Sequence, residues 1–385
     1  MSAATFDAIV IGAGSIGVPT ALALADAGLR PLVLDQRPSL GQGAHKAAIG
    51  GVRATHGDPA KIRVGRESLE VFASWHEAHG DDIEWVTSGY VFVAYREQEE
   101  LAFLRLLREQ RRHGLDIDWL DAEALLARVP DLVREGLRGG TFSPGDGHCS
   151  TLLAGQAMAA AARRAGASFR FGERVEALLC EGGRVVGVRT ARERYAAPVV
   201  INAAGAGASA VAALAGEVVA VKAELHEAGI TEPVAPFLGP LVVDVRPGPG
   251  SANVYCYQTR GGQVIFCLTP EPPIFGEELG ETSEFLPLVA QRLLRLIPRL
   301  EHLRVRRTWR GIYPMTPDGS PLLGWSRAQE GLLHAVGMCG QGLMLGPGVG
   351  TLVARMVCGG LEVDDHDTLR AWDPARAFVG QEVLR

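Results

Sequence analysis

The fold of this chain is decided by Phe6-Asp7-Ala8-Ile9-Val10-Ile11-Gly12-Ala13-Gly14-Ser15-Ile16-Gly17. An Ala- and Leu-rich run to Gly28 follows, and then Pro31-Leu32-Val33-Leu34-Asp35. These residues predict a strand, a glycine turn, a helix and a second strand that ends in an acid. A βαβ unit of this kind is typical of the site that binds the ADP half of a dinucleotide.

Each conspicuous residue of this unit has a physical reason. Gly12 permits the tight turn, Gly14 lets the backbone approach a pyrophosphate, and Gly17 lets helix and strand pack closely. The start of the helix directs free N–H groups and a positive dipole end at phosphate. Asp35, at the tip of the second strand, can accept hydrogen bonds from ribose hydroxyls. The unit alone does not distinguish FAD from NAD.

Length and composition describe an ordinary globular protein. The 385 residues suggest two domains, and 47% of them are hydrophobic against 21% charged. The formal net charge of −6 gives no electrostatic reason to expect nucleic acid or an anionic membrane as a partner. Six cysteines without a C-x-x-C pair predict no metal site and a reducing compartment. We also expect no signal peptide, and therefore a cytoplasmic location.

Two structural patterns alternate along the chain. Helical periodicity marks residues 61–79, 97–114, 121–125, 152–165, 286–300 and 351–358, and strands are predicted at 85–86, 89–94, 168–171, 174–179, 184–190, 199–204, 241–244, 253–258, 263–268 and 332–336. The α/β pattern and the pattern of alternating strands each occur again further along the chain, so we expect two interleaved domains. The expected bounds are 1–80, 148–216 and 308–375 for the first domain and 81–147 and 217–307 for the second.

Two further glycine-rich segments follow, one directly after the first unit and one far from it in sequence. Small residues fill the segment from Gly41 to Arg53, as suits a backbone that lies against a flat ligand. The segment from Gly337 to Gly350 is glycine-dense and is predicted to be a loop that leads into a helix at Thr351. This loop and the glycine turn of the first unit together favour an elongated ligand that is contacted at both ends, and a nicotinamide dehydrogenase would leave the loop from Gly337 to Gly350 unexplained.

Over nearly its full length the chain resembles the D-amino-acid-oxidase-like (DAO) family of FAD-dependent oxidoreductases. The motifs that carry the resemblance are residues 9–17, Gly50-Gly51-Val52-Arg53, Val200–Ala206, Thr316–Pro321 and Gly340–Pro347. Within the family it is similar to sarcosine oxidase β-subunits, glycine oxidase and D-amino-acid or proline dehydrogenases. The resemblance implies an α/β fold, in which a Rossmann-like FAD-binding domain of the glutathione-reductase superfamily is interleaved with an antiparallel-sheet α+β substrate domain.

The resemblance also implies which residues contact FAD. They are Gly12, Gly14, Ser15, Ile16, Gly17, Asp35, Gln36 and Arg37; Gly43, Ala44, His45, Ala48 and Gly50; Val175, Ala204 and Gly205; and Gly311, Gly337, Gly340, Gln341, Gly342, Leu343 and Met344. Gly311 stands where monomeric sarcosine oxidases attach flavin to a cysteine, so non-covalent FAD is expected. His45 could attach FAD, contact it or be an ordinary loop histidine.

The implied reaction is oxidation of an amino acid or secondary amine. A hydride passes from the α-carbon to flavin N5, and the resulting imine is hydrolysed. An arginine fork is the best clamp for the substrate carboxylate, and the candidates are Arg53, Arg310 and Arg260. Arg53 could instead form a surface ion pair, and Arg260 could be a solvated hairpin residue. Tyr257 could line the pocket or pack on the sheet, and His226 could assist deprotonation or be a structural histidine.

Departures from the family pattern leave a second function open. Met344 stands where sarcosine oxidases place a lysine, and Tyr313 and Cys339 stand near the positions of glycine oxidase's arginines. These departures suit a flavin-binding subunit of a hetero-oligomeric amine or opine dehydrogenase, or a structural FAD protein. The electron acceptor, oxygen or a quinone or electron-transfer partner, is not specified by the sequence, and neither is the oligomeric state.

Overall fold

The computed structural model describes residues 4–380 and Leu384. Its helices, numbered in chain order, are α1 (Gly17–Asp26), α2 (Pro59–His79), α3 (Glu97–Arg112), α4 (Ala122–Arg128), α5 (Thr151–Arg164), α6 (Ala208–Ala213), α7 (Phe285–Leu296), α8 (Gly342–Cys358) and α9 (Val363–Ala371). Short 3-10 helices lie at Ala44–Ala47, Gly205–Gly207 and Pro298–His302.

The strands fall into two large and two small sheets. They are β1 (Ala4–Thr5), β2 (Ala8–Ile11), β3 (Pro31–Asp35), β4 (Gly51–Val52), β5 (Tyr90–Ala94), β6 (Asp118–Asp121), β7 (Gly139–Ser143), β8 (Gly147–His148), β9 (Ser168–Phe171), β10 (Val175–Glu181), β11 (Arg184–Thr190), β12 (Arg194–Ala196), β13 (Val200–Asn202), β14 (Lys222–Thr231), β15 (Leu241–Asp244), β16 (Ser251–Gln258), β17 (Val264–Pro270), β18 (Val305–Met315), β19 (Leu322–Trp325) and β20 (Leu332–Val336).

The first large sheet has the order β19-β20-β13-β2-β3-β9. All its pairs are parallel except β19 with β20. One face packs on α1, α5 and α8, and the other on the small sheet β1-β12-β11-β10. Burial on both faces explains why β2 and β3 are continuous apolar runs. The predicted Rossmann-like domain is confirmed.

The second large sheet has the order β18-β14-β17-β16-β15-β5-β7-β6, and all its pairs are antiparallel except β15 with β5. Its strands come from residues 90–143 and 222–315, between the parts of the chain that build the parallel sheet. The two sheets therefore interleave along the chain, as predicted, while the proposed domain bounds stay a prediction.

The two faces of the antiparallel sheet have different neighbours. One face packs on α4 and α7, through side chains such as Leu125 and Leu293. Because side chains alternate along a strand and directly paired residues share a face, the opposite face can be assigned. We call it the inner face, and it carries Tyr90, Phe92, Leu241, Val243, Tyr255, Tyr257, Cys267, Ala228, His226, Gly311 and Tyr313.

The predicted loop from Gly337 to Gly350 is wrong over its second half. Helix α8 begins at Gly342, nine residues before the predicted start, and contains Pro347. Its glycines permit close packing on α1, because a Cβ at Gly350 would lie 2.7 Å from the backbone of Pro19. The glycine-dense sequence predicted a loop, but it forms a helix, and its glycines allow α1 to pack very close to it.

Two smaller expectations also needed correction. The predicted strand at Trp85-Val86 is a single bridge between Val86 and His148. The predicted helix over 286–300 ends at Leu296, and a 3-10 turn at Pro298–His302 follows it. The remaining predicted helices appear within a few residues of their expected bounds.

Within residues 4–380 and Leu384, no single helix has the length and apolar character needed to cross a bilayer. Helices α8 and α9 meet that requirement only when they are taken together as a pair bent by 111°.

Candidate active site

The glycine turn between β2 and α1 combines close packing with open space. A Cβ at Gly12 would lie 2.5 Å from the backbone oxygen of Ala203, so this glycine is required by packing. A Cβ at Gly14 would meet nothing within 4 Å. Helix α1 has no side-chain cap at Ile16. The turn thus offers free N–H groups beside a vacant position, which suits a phosphate group.

Three adjacent strands end at this open space. The Asp35 carboxylate, at the end of β3, accepts hydrogen bonds from the N–H groups of Ala13 at 2.7 Å and Arg37 at 2.8 Å. Gly205 follows β13, has a φ of +57°, and also faces open space. Ligands of open α/β sheets bind at the carboxyl ends of the strands. Sequence reasoning placed Gly14, Asp35 and Gly205 at one ligand, and the fold brings them to one edge.

Other predicted FAD contacts lie around the same edge. Val175 starts β10 and is buried, whereas Gln36 and Arg37 are exposed beyond β3. Gly342, the first residue of α8, lies near the glycine turn, because a Cβ there would be 3.6 Å from Cβ of Ser15. The start of α8 is therefore beside the start of α1, although more than 300 residues separate them in the sequence.

His45 is fixed between the glycine turn and α5. Its Nδ1 lies 2.9 Å from the Ser15 hydroxyl, and a Cβ at Gly155 would be 2.3 Å from Nε2. Burial lowers the pKa of His45 to about 4, so the ring is neutral near pH 7. No described residue forms a hydrogen bond with Nε2. Both ring nitrogens are thus close to other protein groups. This packing favours a neutral structural role for His45 over covalent attachment of FAD.

The segment that contains His45 lies directly beneath β18. The Trp309 indole donates a hydrogen bond to the backbone oxygen of Ala47 at 2.8 Å. A Cβ at Gly311 would lie 2.7 Å from Cβ of Ala47, so this crossing needs a glycine. Ala48 accepts a hydrogen bond from the Thr151 hydroxyl, at 3.1 Å. Residues 44–48 are therefore held between α5 and the inner face.

The next residues lie against two tyrosines of the inner face. The Tyr257 hydroxyl donates to the backbone oxygen of Ile49. A Cβ at Gly50 would lie 2.9 Å from that hydroxyl, and one at Gly51 would lie 2.2 Å from the Tyr90 hydroxyl. Because Gly50 and Gly51 have no side chains, their backbone can lie directly against the two tyrosine hydroxyls of the inner face.

Arg53 is a buried cation, with 5% of its surface exposed. Its Nη1 donates to the backbone oxygen of Thr55 and lies 3.2 Å from His56 Nδ1. Its Nη2 donates to the backbone oxygen of Leu384 at 2.6 Å, and its guanidinium carbon lies 5.4 Å from the centre of the Phe92 ring. No described carboxylate forms an ion pair with it. A buried guanidinium whose partners are neutral can bind an anion.

Asp146 positions the chain at Arg53 and was not singled out from the sequence. Its carboxylate accepts from the Ala54 N–H at 2.9 Å and from the Thr55 hydroxyl at 2.6 Å. Burial raises the pKa of Asp146 to about 6. The sequence shows only a turn, Pro144-Gly145-Asp146-Gly147, and the partner segment is 92 residues away. No local pattern could have revealed this contact.

His226 lies on the inner face in a stack of polar side chains. Its Nε2 is 2.9 Å from the Glu224 carboxylate, and its ring stacks on Tyr313 at 3.7 Å between centres. The Tyr313 hydroxyl lies 3.1 Å from that of Tyr255. Nδ1 of His226 has no hydrogen-bond partner among the described residues. The histidine is held by Glu224 and keeps one nitrogen available.

The other two arginine candidates are not brought to this place. Arg310 is paired across the sheet with Glu227, on the face opposite to that of Trp309 and Gly311. Arg260 lies at the exposed hairpin after β16 and forms a surface ion pair with Asp82 at 2.7 Å. Arg310 thus lies on the other face of the sheet, and Arg260 lies at the surface. The structure does not support either of them as a carboxylate clamp at the place of Arg53.

The turn before α8 has an unusual backbone. Gly337, Cys339 and Gly340 have φ values of +70°, +50° and +79°, of which only that of Cys339 is costly for its residue type. The Cys339 sulfur accepts from the Thr316 N–H at 3.4 Å, which holds the turn against the end of β18. The buried Gln341 Oε1 has no hydrogen-bond partner among the described residues. An orphaned buried acceptor beside a strained turn indicates a ligand contact.

These features fit FAD. Open space at Gly14 and Gly205, uncapped N–H groups at α1 and the unpartnered Gln341 oxygen all lie where an elongated, anionic ligand would be contacted. Leu343 and Met344 form the first turn of α8 beside Gln341. Gly43 and Ala44 precede His45, and Gly43 faces open space. The residues that would hold FAD are therefore those of the glycine turn, Gly205, the segment 43–50 and the start of α8.

Comparisons with known proteins agree with this geometry. The family model described as DAO, FAD dependent oxidoreductase, matches residues 7–356. Glycine oxidase of Geobacillus kaustophilus is 28% identical over 360 residues, covering 91% of this chain and 93% of the relative. Hydrogen cyanide synthase subunit HcnC of Pseudomonas protegens is 27% identical, covering 76% of this chain and 69% of the relative. The crystal structure of L-proline dehydrogenase from P. horikoshii superimposes with a TM-score of 0.90 at 28% identity, covering 97% and 98% of the two chains.

Proposed function

This chain belongs to the DAO family of FAD-dependent oxidoreductases and is an amine or amino-acid oxidoreductase, and we propose that its substrate is an amino acid whose carboxylate binds Arg53. Both FAD dependence and the class of reaction follow from family membership. The identity of the substrate and the roles of individual residues are the proposal.

The observation that carries the proposal is the state of Arg53. The guanidinium is buried, keeps the backbone oxygens of Thr55 and Leu384 as acceptors, and has no ion-pair partner within the described part of the chain. Asp146 interacts with it electrostatically without forming an ion pair, and a buried charge without a direct ion-pair partner is costly. A substrate carboxylate would supply that partner through two parallel hydrogen bonds, which is the geometry that arginine favours.

The segment 43–53 supports this role because it connects the proposed flavin contacts to Arg53. His45, Ala48 and Gly50 come first along the segment, and Arg53 lies one short turn later, against Phe92. A carboxylate at Arg53 would therefore place its α-carbon near the flavin side of the inner face. When bound, FAD accepts the hydride that the α-carbon gives up.

The remaining residues of the inner face bind and orient. Tyr257 and Tyr90 line the wall beside Arg53, and the Tyr257 hydroxyl is held by Ile49. His226 keeps Nδ1 free and is oriented by Glu224. We assign it to holding a polar group or water that could take the amine proton. FAD is proposed to be held without a covalent bond, since both His45 nitrogens are enclosed and position 311 is glycine.

The experiment is anaerobic reduction of the purified holoenzyme by a panel of amines, followed by readmission of air. We expect bleaching of the flavin by carboxylated amines and not by the same amines without a carboxylate. In Arg53→Gln, kcat/KM should fall by about 100-fold, as when one partner of a buried charged pair is lost. Arg260→Gln, at the exposed hairpin, is the matched control and should keep full activity. Equal activity in Arg53→Gln, or equal use of the decarboxylated amines, would overturn the proposal.

A second candidate function comes from the relatives. One of them is named a subunit of a hydrogen cyanide synthase, so a hetero-oligomer is a possible setting for this chain. In that case, flavin in the isolated chain would be reduced only after a partner subunit is added.

The electron acceptor is tested separately. Fast peroxide formation in the isolated chain would support oxygen as acceptor, and slow reoxidation would support a quinone or electron-transfer partner. A cytoplasmic location stays part of this proposal.

A further inference from the structure

Leu384 occupies the space beside Arg53. Its backbone oxygen accepts a hydrogen bond from Arg53 Nη2 at 2.6 Å, and only 2% of its surface is exposed. Its side chain belongs to the apolar cluster of the inner face with Tyr90, Phe92, Leu241 and Tyr257. Leu384 thus presents an oxygen to the guanidinium and an aliphatic group to the wall next to it.

The wall that receives this side chain is a cluster of apolar and tyrosine side chains. Its other buried members are Ala94, Phe103 and Val243. The Tyr257 hydroxyl is already bonded to the backbone oxygen of Ile49. None of these described residues offers a charge to a ligand, so an acidic or basic side chain would lose its water without gaining a partner. The site therefore combines one cation with an apolar wall that includes the aromatic rings of Tyr90, Phe92, Phe103 and Tyr257.

From these contacts we infer that Leu384 stands in the place of the ligand's carboxylate oxygen and side chain. The ligand class of the Arg53 site is then an α-carboxylate with an aliphatic side chain of about leucine's size, and Leu384 leaves when that ligand enters. This inference rests on the proposed carboxylate role of Arg53 and extends it to the side chain, which the family alone leaves open.

Occupancy by Leu384 has a measurable consequence. A ligand that must displace Leu384 can bind only the molecules in which the site is open. Its apparent Kd is therefore its intrinsic Kd divided by the fraction of open molecules. Removing the leucine side chain should therefore strengthen binding. Within a series of ligands, affinity should rise with each methylene that reaches the wall, by about fourfold per group.

The experiment measures binding without turnover. The oxidised holoenzyme is titrated with acetate, butyrate, 4-methylpentanoate and glutarate, and the flavin absorbance spectrum reports binding. We expect 4-methylpentanoate to bind at least about tenfold more tightly than acetate, and glutarate to bind no better than acetate. Leu384→Gly, and separately a chain that ends at Gly380, should bind 4-methylpentanoate about tenfold more tightly than the unaltered protein.

Val379→Ala is the matched control, because Val379 is 80% exposed and belongs to no core cluster, and its affinity should be unchanged. Arg53→Gln should lose the binding of every carboxylate. Equal affinity for acetate and 4-methylpentanoate, or no change in both Leu384 variants, would overturn the inference. If no amine reduces the flavin while the carboxylate ranking and the Leu384 effect hold, the proposed oxidation fails and this inference stands.

Discussion

At the scale of single residues, the proposed site depends on one cation and on a carboxylate with which that cation forms no ion pair. Arg53 was identified as a candidate from its place after a double glycine, and the structure gives it a buried position with neutral acceptors. Asp146 secures the two residues that follow it. We therefore expect Asp146 to act on Arg53 through the backbone, as a positioning residue.

Asp146 gives the protein a pH-dependent stability. Burial raises its pKa from 3.8 to about 6, so the folded state holds the proton more tightly than the unfolded state. The resulting stabilisation is fully present below pH 3.8 and is lost as the pH rises through about 6. Between pH 5 and 7 the free energy of unfolding of the unaltered protein should fall by about 1 kcal/mol relative to Asp146→Asn. Urea unfolding at both pH values measures this, and a pH-independent difference would contradict it.

At the same scale, sequence reasoning can propose site residues where the chemistry is local, and their roles stay predictions. The acid at Asp35, the turn at Gly14 and the arginine after Gly51 can all be read from neighbouring residues. The choice between Arg53, Arg310 and Arg260 could not be made, because it depends on which sheet face a strand residue occupies and that needs the pairing register.

At the scale of elements, two glycines with opposite surroundings show why spacing alone misleads. Gly14 faces open space, whereas Gly350 lies against the backbone of Pro19. Both belong to glycine-rich stretches, and the sequence pattern treats them alike. It consequently predicted a loop where α8 packs on α1, since the distance between two helices is not encoded in the local sequence.

The contrast between these glycines is directly testable. Gly350→Ala should lower the free energy of unfolding by about 1–3 kcal/mol, because the new methyl group meets backbone that cannot move independently. Gly14→Ala should leave the stability of the FAD-free protein nearly unchanged and weaken FAD binding by at least about tenfold, because the methyl group occupies the space next to the pyrophosphate. Thermal unfolding and flavin titration of both variants separate the two effects. The reverse pattern would show that Gly14 has a packing role.

At the scale of the whole molecule, the proposed ligand site connects two sheets that alternate along the chain. Residues 44–48 are held between α5 and β18 by contacts at Ala47, Ala48, Trp309 and Gly311. The fold class and this interleaving could be predicted from the sequence, because each sheet has its own periodicity. The crossing itself could not, since it joins residues 262 apart in sequence.

FAD should therefore stabilise both sheets at once. With free FAD at 100 times its Kd, the free energy of unfolding should rise by about 2.7 kcal/mol. Hydrogen exchange should slow for the amides of both β13 and β16, because the ligand's site is shared by the two sheets. Protection confined to β13 and its neighbours would mean that the antiparallel sheet unfolds independently of the cofactor.

The interleaving also sets an order of events during synthesis. Strand β13 pairs with β2 on one side and with β20 on the other, and β20 is made from residues 332–336. Until those residues leave the ribosome, β13 has one unpaired edge, and the first βαβ unit waits beside an incomplete sheet. Helix α8, which adjoins the glycine turn, emerges later still. The nascent chain thus has to keep an apolar edge shielded until residues 332–336 have been made, and FAD can find its complete site only after α8 has followed.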